Sequence, residues 1–167
     1  MRDRRQRNQQ KPNSIRRIVV NEAFELTDSQ RERCLASGGY FFRSCVQHFG
    51  VLVTEHGYRM SFHDMGQGCD LVRFMQDIQT EYFAVRIFHE FDALWCDIHR
   101  FAGTDHQNRL RLADACLPLG ILCPSQRLDT SLPMEQTVPQ RVREFADCIR
   151  ALLTEFHSLP VDAKPNA

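Results

Sequence analysis

The sequence predicts a mainly α protein, a single helical-bundle-like domain of about four to five helices, with room for a small β-hairpin near residues 51–62. Three observations point there. All seven prolines lie outside residues 13–117, so nothing in that stretch forces a helix to stop. Residues 69–102 contain neither proline nor glycine. Within them the apolar residues Leu71, Met75, Ile78, Tyr82, Val85, Phe88, Phe91, Trp95, Ile98 and Ala102 recur in steps of three or four, the helical period.

The first helix is expected over residues 28–49. Thr27-Asp28-Ser29-Gln30 has the form of a capping box, in which the threonine hydroxyl accepts from a first-turn amide and Gln30 reaches back. Leu35, Phe42, Cys45, Phe49 and Leu52 keep the helical spacing. Gly38-Gly39 weakens the middle by about 1 kcal/mol per glycine, so the helix breaks there or lets another helix approach. After Gly50 the pattern changes to VLVTE, His56-Gly57 and YRMSF, which gives the hairpin its turn, and residues 15–26 offer a third strand. A long helix, or two with a bend, is expected over 70–102, against a strand at 82–88 where aromatic and β-branched residues cluster.

Further on, Thr104-Asp105-His106-Gln107 repeats the capping pattern and opens a helix over 105–117 that stops at Pro118. Residues 118–138 hold three prolines and read as a long connection. The last helix, over 139–159, has Thr137 as its cap and Pro139 in its first turn. Val142, Phe145, Ile149, Leu152 and Phe156 line one side of it, while Arg141, Arg143, Glu144, Asp147 and Arg150 line the other.

The formal charge of zero hides an asymmetry. Residues 1–17 carry Arg2, Arg4, Arg5, Arg7, Lys11, Arg16 and Arg17 against Asp3 alone, a net +6 that the other 150 residues balance with −6. Residues 1–14 have no aliphatic or aromatic side chain after Met1 and cannot offset their ordering entropy by burial. The expected division is a flexible basic arm (1–14), one globular domain (15–160) and a loose C-terminal tail (161–167). The seven arm bases are the candidate contacts to a macromolecular partner, nucleic acid or an acidic protein. No apolar run approaches the roughly 20 residues of a membrane span, and no hydrophobic segment follows the basic start, so no membrane partner is expected. The expected setting is intracellular: cytoplasmic, or nuclear in a eukaryotic or viral source.

Seven cysteines without a CxxC pair do not form a disulfide framework and read as reduced, small hydrophobes. Two Cys-x-x-His pairs, Cys45/His48 and Cys96/His99, would each put two ligands on one helix face, half of a tetrahedral zinc site. No cofactor is expected, and these four residues are the candidates should a metal bind. His89, Asp92, Cys96 and His99 would form a polar stripe on a helix, in which an oriented imidazolium activates Cys96. Walker, dinucleotide, nucleophile-elbow and HExxH motifs are absent from the sequence, which lowers the case for the common enzyme classes.

One short stretch resembles a known family. His99-Arg100-Phe101-Ala102-Gly103-Thr104, followed by Leu112-Ala113-Asp114-Ala115-Cys116, is similar over about 20 residues to the phosphate-accepting region of histidine phosphotransfer domains. The resemblance implies an all-helical bundle with His99 as the phosphorylated residue and Gly103 leaving space for a receiver domain. Ala102 stands where that family usually has a basic residue, and Arg109 stands where it has a second glycine. Twelve phenylalanines and two apolar faces on the 69–102 helix, through Leu71/Ile78/Val85 and through Phe83/Ile87/Leu94, suit a homodimer. The reading is therefore a non-enzymatic binding or regulatory protein that uses the arm and a helical body, with phosphotransfer through His99 or Cys/His or zinc chemistry as alternatives.

Overall fold

In a computed structural model, residues 25–78, 81–102, 109–111 and 127–158 are described, with the backbone alone at 77–78, 81–83, 99–102, 109–111 and 154–158. The element order is α1 (Asp28–Leu35), α2 (Tyr40–Thr54), β1 (Arg59–Asp64), β2 (Cys69–Ile78), β3 (Glu81–Glu90), β4 (Ala93–Ala102), β5 (Arg109–Arg111) and α3 (Met134–Ser158). The helical bundle is thereby overturned. Four long strands and a three-residue fifth form an antiparallel sheet in the order β1-β2-β3-β4-β5, each strand beside its sequence neighbour. The long helix expected over 70–102 is three strands, and the strand weighed at 82–88 lies within β3.

The physical reason lies in which residues the sheet buries. On one face Val72 and Phe74 of β2, Val85 and Ile87 of β3, and Leu94, Cys96 and Ile98 of β4 join the core, each set at the two-residue strand period. On the other face Leu71 and Ala84 are also buried, and Phe88 and Trp95 are half-buried and stacked with ring centroids 5.2 Å apart. Apolar residues on both faces blur alternation into steps that mimic a helix. The β3–β4 turn gives no glycine or proline either, because Phe91 takes the left-handed conformation there (φ 49°).

The helices follow the sequence more closely. Thr27 Oγ1 accepts from the Gln30 amide at 3.2 Å and Gln30 Oε1 accepts from the Thr27 amide at 3.0 Å, the expected box. The expected 28–49 helix breaks at residues 36–39. Gly39 stands against the Arg33 and Cys34 carbonyls, too close for any Cβ, which is why a second helix starts there. The hairpin placed near 51–62 is displaced. Residues 51–54 belong to α2, Gly57 (φ 70°) turns the chain out of it, and the true hairpin is β1–β2 with its turn at Gly66-Gln67-Gly68, all three at positive φ.

α3 begins at Met134, five residues before the expected start, with Pro139 inside it. Thr137 is a buried helical residue whose hydroxyl donates to the Pro133 carbonyl, not a cap. Four members of the expected apolar side of α3, Val142, Phe145, Ile149 and Leu152, are buried in one core with Phe41, Phe42, Cys45, Val46, Phe49 and Leu52 of α2, and the side chain of the fifth, Phe156, lies outside the described residues. Residues 109–111, expected in a helix, form β5 beside β4. The strand expected at 15–26 and the remainder of the helix at 105–117 fall largely outside the described residues, as do the arm and the tail.

Candidate functional site

The register places both tight turns of β1–β4 at one end of the sheet, since Asp64 pairs with Asp70, Asp70 with His89, Cys69 with Glu90, and Glu90 with Ala93. The α2 N-terminus closes over this end. The His89 ring lies 5.3 Å from Phe41 and 6.2 Å from Tyr40. The segment before α3 is fastened there by the Leu128 amide, which donates to the Asp92 carbonyl at 2.9 Å, and by Arg127, 3.3 Å from the Asp92 carboxylate. Asp129 caps its own turn, accepting from the Ser131 amide and hydroxyl, and these bonds hold its carboxyl below the usual value.

Tyr40, Asp70 and His89 thus come together from three elements. Burial pushes His89 below its ordinary value, only partly offset by the Asp70 charge and the Phe91 backbone, and its Nε2 is buried without a hydrogen-bond partner. Burial pushes Asp70 up, with His89 and Arg33 pulling the other way. The Tyr40 hydroxyl is raised by burial, by Glu135 of α3 and by Asp70. The Cys69 thiol is raised by burial and by Glu90, Asp70 and Asp64. A raised thiol is a poor nucleophile at neutral pH, so this end offers a field of negative potential and no activated sulfur.

The opposite face of the sheet has a different character. Arg73 of β2 is directly opposite Arg86 of β3, and Arg59 of β1 is opposite Met75 on the same face. Arg86 is 2.8 Å from the buried Asp97 carboxylate of β4 and lies 5.0 Å over the Phe88 ring. Arg73 has a thioether contact, Nη1 to Met75 Sδ at 3.8 Å, and no acidic partner among the described residues. This cationic row was not singled out by sequence reasoning, because its members meet only through strand register.

The residues chosen from the sequence are dispersed. Cys45 and His48 do share α2, but Cys45 is fully buried with its thiol well above the ordinary value, and His48 faces Arg143, Arg150 and Asp147 of α3. Cys96 and His99 lie on β4, where a three-residue step has no helical reason to pair them. The stripe is dismantled: His89 is the penultimate residue of β3, Asp92 is in the turn, Cys96 is in the core, and His99 is opposite Ala84. Among the described residues no group of three or more His, Cys, Asp or Glu side chains could hold a metal ion. The all-helical bundle implied for His99 as phospho-acceptor is not this fold, and His99 lies in a strand. The homodimer surface on a 69–102 helix disappears with that helix. Arg2, Arg4, Arg5, Arg7, Lys11, Arg16 and Arg17 lie outside the described residues. No helix among the described residues is long and apolar enough to cross a membrane.

No family model, no curated protein and no solved structure matches this chain.

Proposed function

We propose that the protein is a non-enzymatic binding module for nucleic acid, contacted by the cationic sheet face and by the Arg-rich arm. The observation that carries this reading is the placement of Arg73 directly opposite Arg86. Like charges across a strand pair are destabilising, and Arg73 has no acidic partner among the described residues, so an added anion would relieve the pair. Two further features support phosphate over carboxylate. Guanidinium forks match phosphate oxygens bidentately, and the Phe88–Trp95 stack beside them is the side-chain type on which unpaired bases stack. The arm adds seven bases within 17 residues.

Fluorescence anisotropy with a labelled single strand and the matching duplex tests this. Arg73→Glu should weaken binding to both about tenfold or more while leaving the thermal midpoint unchanged or higher, as the like-charge contact is removed. Deleting residues 1–14 removes five of the seven arm bases and should lower the salt slope for duplex by about four or five. Equally weak binding by the wild-type, substituted and truncated proteins at low salt would overturn the reading. Binding of an acidic polypeptide with no affinity for either nucleic acid would move it to a protein partner.

A further inference from the structure

Among the described residues four large apolar side chains stand exposed: Leu35 at 45%, Met65 at 58%, Phe91 at 68% and Leu132 at 47%. They are not scattered. Met65 and Phe91 occupy the β1–β2 and β3–β4 turns at one end of the sheet, and the Phe91 ring lies so near Gly68 that a Cβ there would be 3.5 Å from it. Leu35 ends α1, at the corner leading to the α2 N-terminus over His89, and Leu132 lies between Leu128, fastened to Asp92, and the start of α3. Single exposed apolar residues are ordinary, but four gathered at one end mark a contact surface. Phe91 sharpens the point, since its backbone is in the left-handed region (φ 49°), which a phenylalanine adopts only against strain.

The rim of this surface is acidic. Asp64, Asp70, Glu90, Asp92, Asp129 and Glu135 surround the turns, and the arginines beside them, Arg33 and Arg127, are each tied to a carboxylate of the set, at 3.9 Å to Asp64 and 3.3 Å to Asp92. Such a surface fits a segment that combines cations with short aliphatic anchors. The chain contains one: MRDRRQRNQQKPNSIRRIVV, in which Ile15, Ile18, Val19 and Val20 are interleaved with or preceded by the seven bases. Nothing among the described residues covers these four side chains.

We propose that this acidic, apolar-centred end docks residues 1–20 of a second copy of the chain, the two copies exchanging segments in a two-fold dimer. The +6 of residues 1–17 meets the rim carboxylates, the aliphatic residues cover Phe91 and Met65, and two-fold exchange closes both contacts at once. The surface is at the end of the sheet, apart from the Arg73 row, but the arm is common to both roles, so nucleic acid and the rim compete for its bases.

Sedimentation equilibrium of the full chain without nucleic acid is the test. The expected result is a dimer at low salt that weakens as salt rises, with dissociation increased about tenfold or more by Phe91→Gly, which keeps the backbone conformation and removes the ring. A rim variant, Glu90→Arg with Glu135→Arg, and an arm variant, Arg16→Glu with Arg17→Glu, should each associate more weakly alone than when the two are mixed, because in the mixture the new cations of one meet the new carboxylates of the other. A wild-type chain that is monomeric at every concentration, or a dimer indifferent to Phe91→Gly, overturns the proposal. A dimer that survives removal of residues 1–20 overturns the choice of occupant, and mixing that fails to restore association between folded variants overturns the exchange.

Discussion

Arg86 and Asp97 meet across the β3–β4 pair, Nη2 to Oδ2 at 2.8 Å, with the carboxylate only 1% exposed and the arginine side chain 24% exposed. A charge so deep inside a sheet is tolerated because its partner is directly opposite in register. Asp97→Ala should therefore destabilise the protein by about 3–5 kcal/mol, since the guanidinium would lose its compensating charge. Replacing both residues with apolar ones, Arg86→Met with Asp97→Leu, should recover most of that loss. Urea unfolding of the two variants checks the pair, and a single substitution costing under about 1 kcal/mol would place it among weak surface bridges.

Adjacent glycines at the α1–α2 corner should respond oppositely to the same methyl group. A Cβ at Gly38 meets nothing within 4 Å, whereas one at Gly39 collides with the carbonyls of Arg33 and Cys34. Gly38→Ala is expected to change stability by no more than about 0.5 kcal/mol. Gly39→Ala should cost about 1–3 kcal/mol, because the obstacle is backbone that no rotamer change can clear. Thermal unfolding of both decides it.

Acid should loosen the fold before the carboxylates titrate. His48, His63 and His89 all lie below their ordinary value of 6.5, each chiefly through burial, with Arg143 and Arg150 adding to His48 and Arg73 and Arg33 adding to His63. Between those lowered values and 6.5 the unfolded chain takes up protons that the folded chain refuses, so their stabilisation is complete above 6.5 and lost as pH falls below it. Asp70 works in the opposite sense: its carboxyl is raised, and the folded state gains as pH falls through that raised value towards 3.8. The thermal midpoint should drop from about pH 7.5 to about pH 5.5, and a His48→Gln/His89→Gln variant should show a flatter profile.

The described core thiols should be silent until the protein opens. Cys45 is fully buried with its thiol far above the ordinary value, and burial takes Cys34 to about 11 despite the pull of Arg43. A thiol-reactive disulfide reagent at mildly alkaline pH should label Cys34 and Cys45 only after denaturant is added, at a rate set by unfolding. Fast labelling of either in the native protein would contradict the core as described.

Where the sequence could be read, it carried its own local physics. The Thr27–Gln30 box and the apolar side of α3 through Val142, Phe145, Ile149 and Leu152 depend on residues within a few positions of each other. β2–β4 were misread because the face that carries Arg73, Arg86 and Asp97 also buries Leu71 and Ala84, while Val72, Phe74, Val85 and Ile87 are buried on the other, so apolar residues on both faces blur the alternation. The turn at Phe91 withheld the usual glycine signal as well. The sites were less legible than the fold. Arg73 meets Arg86 across 13 positions, and Tyr40, Asp70 and His89 converge from three elements, so neither grouping exists before the strands pair.

The placement of α3 also sets an order of events during synthesis. The meander pairs only neighbouring strands, so the sheet can assemble hairpin by hairpin as each strand appears. Its helix-facing side is covered only in part, by α2, until α3 arrives, because Val138, Val142, Phe145, Ile149, Leu152 and Leu153 supply the rest of that core. A nascent chain halted before residue 134 would hold Phe41, Phe49 and Phe74 in a half-built interior, a natural target for a chaperone that grips aromatic segments. Emergence of α3, rather than completion of the sheet, is then the moment at which the fold becomes cooperative.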